Sequence, residues 1–231
     1  MAENRSGSLA GAISGEGGDG PARAALNPRA CYAGARRRRG SMANSWRCER
    51  LSLVPEHALA HFVLGIVQIN TKRVPQGVAE CERALALDRN LARAHAALGM
   101  AKNYLGLAEE TEAHINEAFR FSPRDTDAHI WLVVASTAKF LLGRDEEAVV
   151  LFRRSIEINR NFPIADFCLA AALAHLGRLN EARAAVQAGL ALTPSFTITR
   201  FRTGVPSDNP TFLAQRERFY DGMRKAGVPE G

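Results

Sequence analysis

From Leu51 onward, apolar residues recur at spacings of three and four. Val63, Ile66 and Val67, and later Leu98, Ala101 and Leu105, fall on one face of a helix. The ends of the helices are marked as clearly as their faces. Gly143 and Gly177 stand where a helix must stop, because glycine takes the left-handed C′ conformation cheaply. Asp145 and Asn180 follow where the next helix begins, and Pro163 suits a first helical position after Asn161-Phe162. The pattern predicts first helices near 56–70, 91–105, 126–142 and 162–176. Second helices are expected near 75–87, 108–121, 145–158 and 179–192.

These helices come in pairs that repeat. Leu64-Gly65 returns 34 residues later as Leu98-Gly99. Leu142-Gly143-Arg144 with Glu147-Ala148 returns after another such interval as Leu176-Gly177-Arg178 with Glu181-Ala182. The equivalent second-helix positions are Ala84, Ala118, Ser155 and Gly189, all small enough to let two helices approach closely. Five residues after each stands Arg89, Pro123, Arg160 or Pro194. The intervals of 34, 37 and 34 place a three-residue insertion between Ser122 and Val134. A 34-residue period with Leu-Gly, a small residue and proline at these offsets resembles the tetratricopeptide (TPR) repeat. The usual first-helix tryptophan is missing in three repeats. In the third, Trp131 is one position off and Ala135-Ser136 replaces Leu-Gly. The expected fold is all-α, a TPR-type α-α superhelix of about four helix pairs with a C-terminal capping helix. Each pair has two apolar faces and needs a neighbour to bury both.

After Pro194 the pattern changes. Residues 196–202 read as an extended connector, broken by Gly204-Val205-Pro206. Ser207-Asp208-Asn209-Pro210 is a strong helix start, with Asn209 as N-cap and Pro210 at N1. Phe212, Leu213, Phe219 and Met223 give this last helix an apolar face, and Gly227 ends it. Gln215, Arg216, Arg218 and Arg224 are expected to form its solvated side, as a repeat stack requires at its end. Three segments result: 1–50, the repeats over 51–196, and the connector and capping helix over 197–231.

Residues 1–50 are rich in Gly, Ala, Ser and Arg and lack an apolar period, so they are expected to be disordered. Regular repeat sequence sets in abruptly at Leu51, which raises the hypothesis that this front segment is not native coding sequence. Repeat-like sequence in another upstream reading frame is what that hypothesis requires. The net charge of +6 is concentrated there: nine Arg against four acids before residue 51. The span 51–196 holds fifteen bases and sixteen acids, a balance that argues against a nucleic-acid interface. Arg36-Arg37-Arg38-Arg39 is read as a solvated run. Neither a membrane-length apolar run nor a secretory h-region is readable, so the expected location is cytoplasmic.

Two blocks of the sequence carry a narrower resemblance. The first is Phe121-Ser122-Pro123-Arg124-Asp125, Leu142 to Ala148, and Ala172 to Arg178. The second is the closing Pro206 to Thr211 with Gly222 to Gly227. They resemble the C-terminal repeat region of bacterial signalling proteins in which the repeats follow a class III adenylate/guanylate cyclase or a winged-helix DNA-binding domain. A cyclase domain alone would need most of this chain. The resemblance thus implies a regulatory portion without cyclase activity.

No catalytic, cofactor or metal site is expected. His57 and His61 are four apart but lack a third ligand, and Asp145-Glu146-Glu147 is explained by the helix dipole. Cys31, Cys48, Cys81 and Cys168 form neither a C-x-x-C pair nor a zinc spacing. Gly15 to Gly20 lacks the flanking elements of a phosphate loop. The expected role is a non-catalytic protein–protein interaction scaffold or regulatory module, whose partner is a protein or peptide segment. Its inner groove, as the resemblance implies, would be lined from the first helices. The candidates are Phe62, Ile66 and Ile69; Arg93, Met100 and Asn103; Thr137 and Phe140; Phe167 and Ala171. The Lys/Asn set that clamps a peptide carboxylate is missing among them, which points to a helical or extended segment instead.

Overall fold

The computed structural model describes residues 57–231. The expectations for residues 1–50 lie outside that range, as do Cys31 and Cys48. Eight helices form four antiparallel pairs: α1 Ala58–Ile69 with α2 Val74–Leu87, α3 Ala92–Tyr104 with α4 Ala108–Phe121, α5 Ala128–Leu141 with α6 Asp145–Ile158, and α7 Pro163–His175 with α8 Leu179–Leu192. Two further helices follow, α9 Ile198–Thr203 and α10 Pro210–Ala226. No strand is present among the described residues.

The turn inside each pair repeats one left-handed position. Gly106, Gly143 and Gly177 have φ of 74–75°, and Lys72 takes the same place in the first pair at 64°. The small second-helix residues are small for a steric reason. Ala84, Ala118 and Ser155 are fully buried, and a Cβ on Gly189 would lie 2.9 Å from the Phe167 ring. The insertion falls in the loop 122–127 and at the start of α5. That loop is knit by Asp125, which accepts from the Asp127 amide at 2.9 Å and from the Ser122 hydroxyl at 3.2 Å.

Each second helix packs on the next first helix, and successive first helices also touch one another. Second helices of successive pairs do not approach one another comparably, so the stack curves with α1, α3, α5 and α7 on its inner side. Buried side chains form two apolar cores. One joins the first two pairs to Trp131, Val134 and Ala135 of α5; the other joins the last two pairs to the C-terminal segment.

Two expectations for the C-terminal segment need correction. Residues 198–203 are helical, not extended: the Thr197 hydroxyl caps the helix by accepting from the Arg200 amide, and Ile198 is fully buried. Capping and burial outweigh the β-branched run. Helix α10 exists where the sequence puts it, but its placement differs. A cap extending the stack would lie mainly on α8; α10 packs mainly on α7 and meets α8 only marginally. Its expected solvated side is correspondingly partly covered: Arg216 is 8% exposed and Arg218 is half-buried.

Candidate functional site

The inner face is built from one repeating pattern of positions on α1, α3, α5 and α7, and the ten candidate residues divide by what covers them. Phe62, Ile66, Arg93 and Thr137 are half-buried. Ile69, Met100, Asn103, Phe140, Phe167 and Ala171 are buried. Ile69 faces its own partner helix, where α1 and α2 come together at Gly77. Met100 belongs to the core of the first two pairs. Asn103 is a structural tie: its amide donates to the Val134 carbonyl at 2.9 Å, and its side-chain oxygen accepts from the Thr111 hydroxyl at 2.8 Å. A buried amide satisfied on both sides is unavailable to a ligand.

The other three buried positions are covered by the C-terminal segment. Phe196 stacks on Phe167 with ring centres 3.7 Å apart. Phe219 of α10 lies 4.2 Å from Phe140. Gly222 sits on Ala171 so closely that a Cβ at 222 would be 2.6 Å from the Ala171 carbonyl oxygen. Further along, Phe212 meets Tyr104 edge to face, and the Ser207 hydroxyl donates to the Tyr104 carbonyl at 2.6 Å. From Leu192 the chain thus returns as far as the turn of the first pair, where Asp208 pairs with Lys72 at 2.6 Å. Helix α10 then runs back from the second pair to the fourth. The tail closes this hairpin, with the Ile198 amide donating to the Pro229 carbonyl and that of Thr199 to Glu230, both at 2.9 Å.

Two arginines hold α10 in place. The Arg218 guanidinium donates to both carboxylate oxygens of Asp145, at 2.7 and 2.8 Å, and lies over the Phe140 ring. Asp145 therefore does more than favour the dipole of α6. Arg216 donates to the Tyr220 hydroxyl at 2.8 Å and lies 4.1 Å from the centre of the Phe201 ring. Aromatic faces substitute here for a carboxylate.

What stays accessible on the inner side belongs to the first three pairs: Phe62 and Ile66 of α1, and Ile130, Val133 and Thr137 of α5, all half-buried. Arg93 borders this surface but is engaged. It reaches Asp125 at 3.2 Å, Asp127 at 3.4 Å and the Thr126 hydroxyl at 3.1 Å, and so clamps the inserted loop. The sequence pattern placed it correctly on the helix but carried no sign of these partners.

Two clefts lie elsewhere. One of about 380 Å³ opens beside α10, and its charges are already matched, Lys72 to Asp208 and Arg202 to Glu217. The other, about 400 Å³, lies among α6, α7 and α8 and contains Asp166. The nearby cation, Arg153, is held by Glu181 at 2.5 Å, and burial pushes the Asp166 carboxyl up to about 6. A carboxyl raised above its unfolded value binds its proton more tightly in the folded state. The cost of burying its charge is therefore absent below about pH 4, grows through the interval, and is complete above about pH 6. Asp166→Asn is expected to stabilise the fold by about 1–3 kcal/mol at pH 7.5 and to have little effect at pH 4. Urea unfolding at the two pH values checks this; equal effects at both would remove burial of charge as the cause.

No group of three or more potential metal-ligating side chains occurs among the described residues. His57 and His61 have separate duties: His57 caps α1 by accepting from the Ala60 amide, and His61 meets Glu80 at 2.6 Å. Burial pushes the Cys81 and Cys168 thiols up to about 12, so both stay protonated at neutral pH. No described helix is long and apolar enough to cross a membrane.

No protein-family model matches the chain, and no curated protein matches it. Solved structures do. The type IV pilus biogenesis factor PilW aligns with a TM-score of 0.63 at 17% identity, over 79% of this chain and 82% of its own. PilF of Pseudomonas aeruginosa aligns at 0.60 and 19%, over 80% and 86%. TTC0263, a thermophilic TPR protein of Thermus thermophilus, aligns at 0.57 and 18%, over 78% and 88%. At these identities the likeness speaks for architecture alone: the fold of this chain is that of a TPR α-α superhelix.

Proposed function

We propose that this chain is a non-catalytic scaffold that binds a protein or peptide segment along the inner face of its first three helix pairs. The observation that carries this reading is that Phe62 and Ile66 of α1 and Ile130, Val133 and Thr137 of α5 stay half-buried, whereas Phe140, Phe167 and Ala171 are buried under the C-terminal segment. A largely apolar strip with few free charges suits an extended or helical segment held mainly by side-chain packing. A structure of similar fold, YrrB, is described as a TPR protein with an unusual peptide-binding site; it aligns with a TM-score of 0.52 at 18% identity.

Photo-crosslinking amino acids test the site in the full chain. At Ile66 and Thr137 they are expected to capture a partner, and at Val150, 64% exposed on α6, they are not. Capture from Val150 alone would overturn the assignment. Charge reversal at Arg93 is a poor probe, because it sets a third negative charge between Asp125 and Asp127. The narrower reading, a regulatory portion of a cyclase-like or winged-helix signalling protein, rests on the sequence resemblance. Cyclase turnover by this chain with Mg²⁺ or Mn²⁺ would overturn the non-catalytic assignment.

A further inference from the structure

We propose that the inner surface of the second to fourth helix pairs is a receptor for an amphipathic helix, and that α10 is its built-in ligand. The contacts have the form of helix-in-groove recognition. Phe212, Phe219 and Gly222 meet Tyr104, Phe140 and Ala171, one residue on each of three successive first helices. Their offsets of seven and three place them along one face of α10. Polar contacts fix the register: Arg218 on Asp145, and the Arg218 carbonyl accepting from His175 Nε2 at 2.8 Å.

Helix α10 also carries its own start and stop. The Asn209 side chain accepts from the Phe212 amide, Pro210 occupies N1, and Gly227 closes the helix at φ 90°. Helices α2 to α8 make no side-chain N-cap hydrogen bond, whereas α10 has one at its start, a glycine stop at its end, and hangs on a return connector. The tether gives it a high effective concentration at this surface. A partner helix of the same pattern, with two aromatics seven apart, an arginine before the second and a small residue three after it, must displace it. This inference rests on the scaffold reading only in using the same face. Crosslinking from positions 66 and 137 reads the uncovered part, so each can fail alone.

The test uses the full chain and a fluorescein-labelled peptide of residues 205–231. In Gly222→Leu the new side chain meets Ala171 backbone atoms at 2.6–3.0 Å from its Cβ onward, so α10 must lift. The variant is expected to bind the peptide at least about tenfold more tightly than the unaltered chain, whose own helix competes. Equal binding by both, or binding by neither, would overturn the proposal. Hydrogen exchange on the unaltered chain is a second arm that does not depend on the variant folding. Amides of α10 are expected to exchange ahead of those of α7, by separate opening. One shared rate for the two helices would make α10 part of the cooperative core and defeat the proposal.

Discussion

Phe140→Ala is expected to lower the stability of the fold by about 3–5 kcal/mol. By its place on a first helix the position is a groove candidate, and a groove residue would tolerate truncation. In the structure Phe140 is fully buried and joins three elements: its own helix α5, His175 of α7 at 5.5 Å, and Phe219 of α10 at 4.2 Å. Truncation opens a cavity whose walls are held by separate helices, so collapse recovers little of the lost contact. It also removes the ring over which Arg218 lies. Equilibrium urea unfolding followed by helical circular dichroism reads the effect. A loss below about 1 kcal/mol would mean that Phe219 and Phe140 do not pack as described.

Gly77→Val is expected to cost about 3 kcal/mol, with the damage confined to the first pair. Helices α1 and α2 touch through two glycines. A Cβ at Gly77 would lie 2.6 Å from the Gly65 carbonyl oxygen and 2.9 Å from the Ile69 amide nitrogen. Both obstacles are backbone, so no rotamer change relieves them and the helices must separate. In a repeat stack each pair depends on its nearest neighbours, which keeps the disturbance local. Hydrogen exchange should show α1 and α2 losing protection while α7 and α8 keep theirs. Unchanged protection at α1 would refute the close contact.

Helix boundaries were the most legible part of this protein. The second helices begin and end within a residue of expectation, and Gly143, Gly177, Pro163, Asn209 and Gly227 mark the ends that they were read to mark. These features are local: apolar periodicity, a cap, a left-handed turn, each decided by residues a few positions apart. The helix at Ile198 is not legible locally, because its amide is held by a distant partner, the Pro229 carbonyl of the returning tail.

The candidate groove was legible only as a set of positions. Counting along the first helices finds the residues that face inward, but the count is the same whether the surface is open or filled. Asn103 and Arg93 are among the residues so found, yet one ties α3 to Val134 and the other clamps the inserted loop. Both partners are about thirty residues away, and the spacing of apolar residues carries no information about them.

The last helix shows the same division. By itself the sequence determined that α10 would form, where it would start and stop, and that one side would be apolar, because capping and periodicity act within the helix. Only the tertiary structure decided that this side meets Tyr104, Phe140 and Ala171, not the end of the stack at α8. An apolar stripe records how much surface must leave water and on which face of the helix it lies. It does not record which of two apolar surfaces receives it; that choice depends on the length of the return connector, on the missing Cβ of Gly222, and on the Arg218–Asp145 pair across 73 residues of chain.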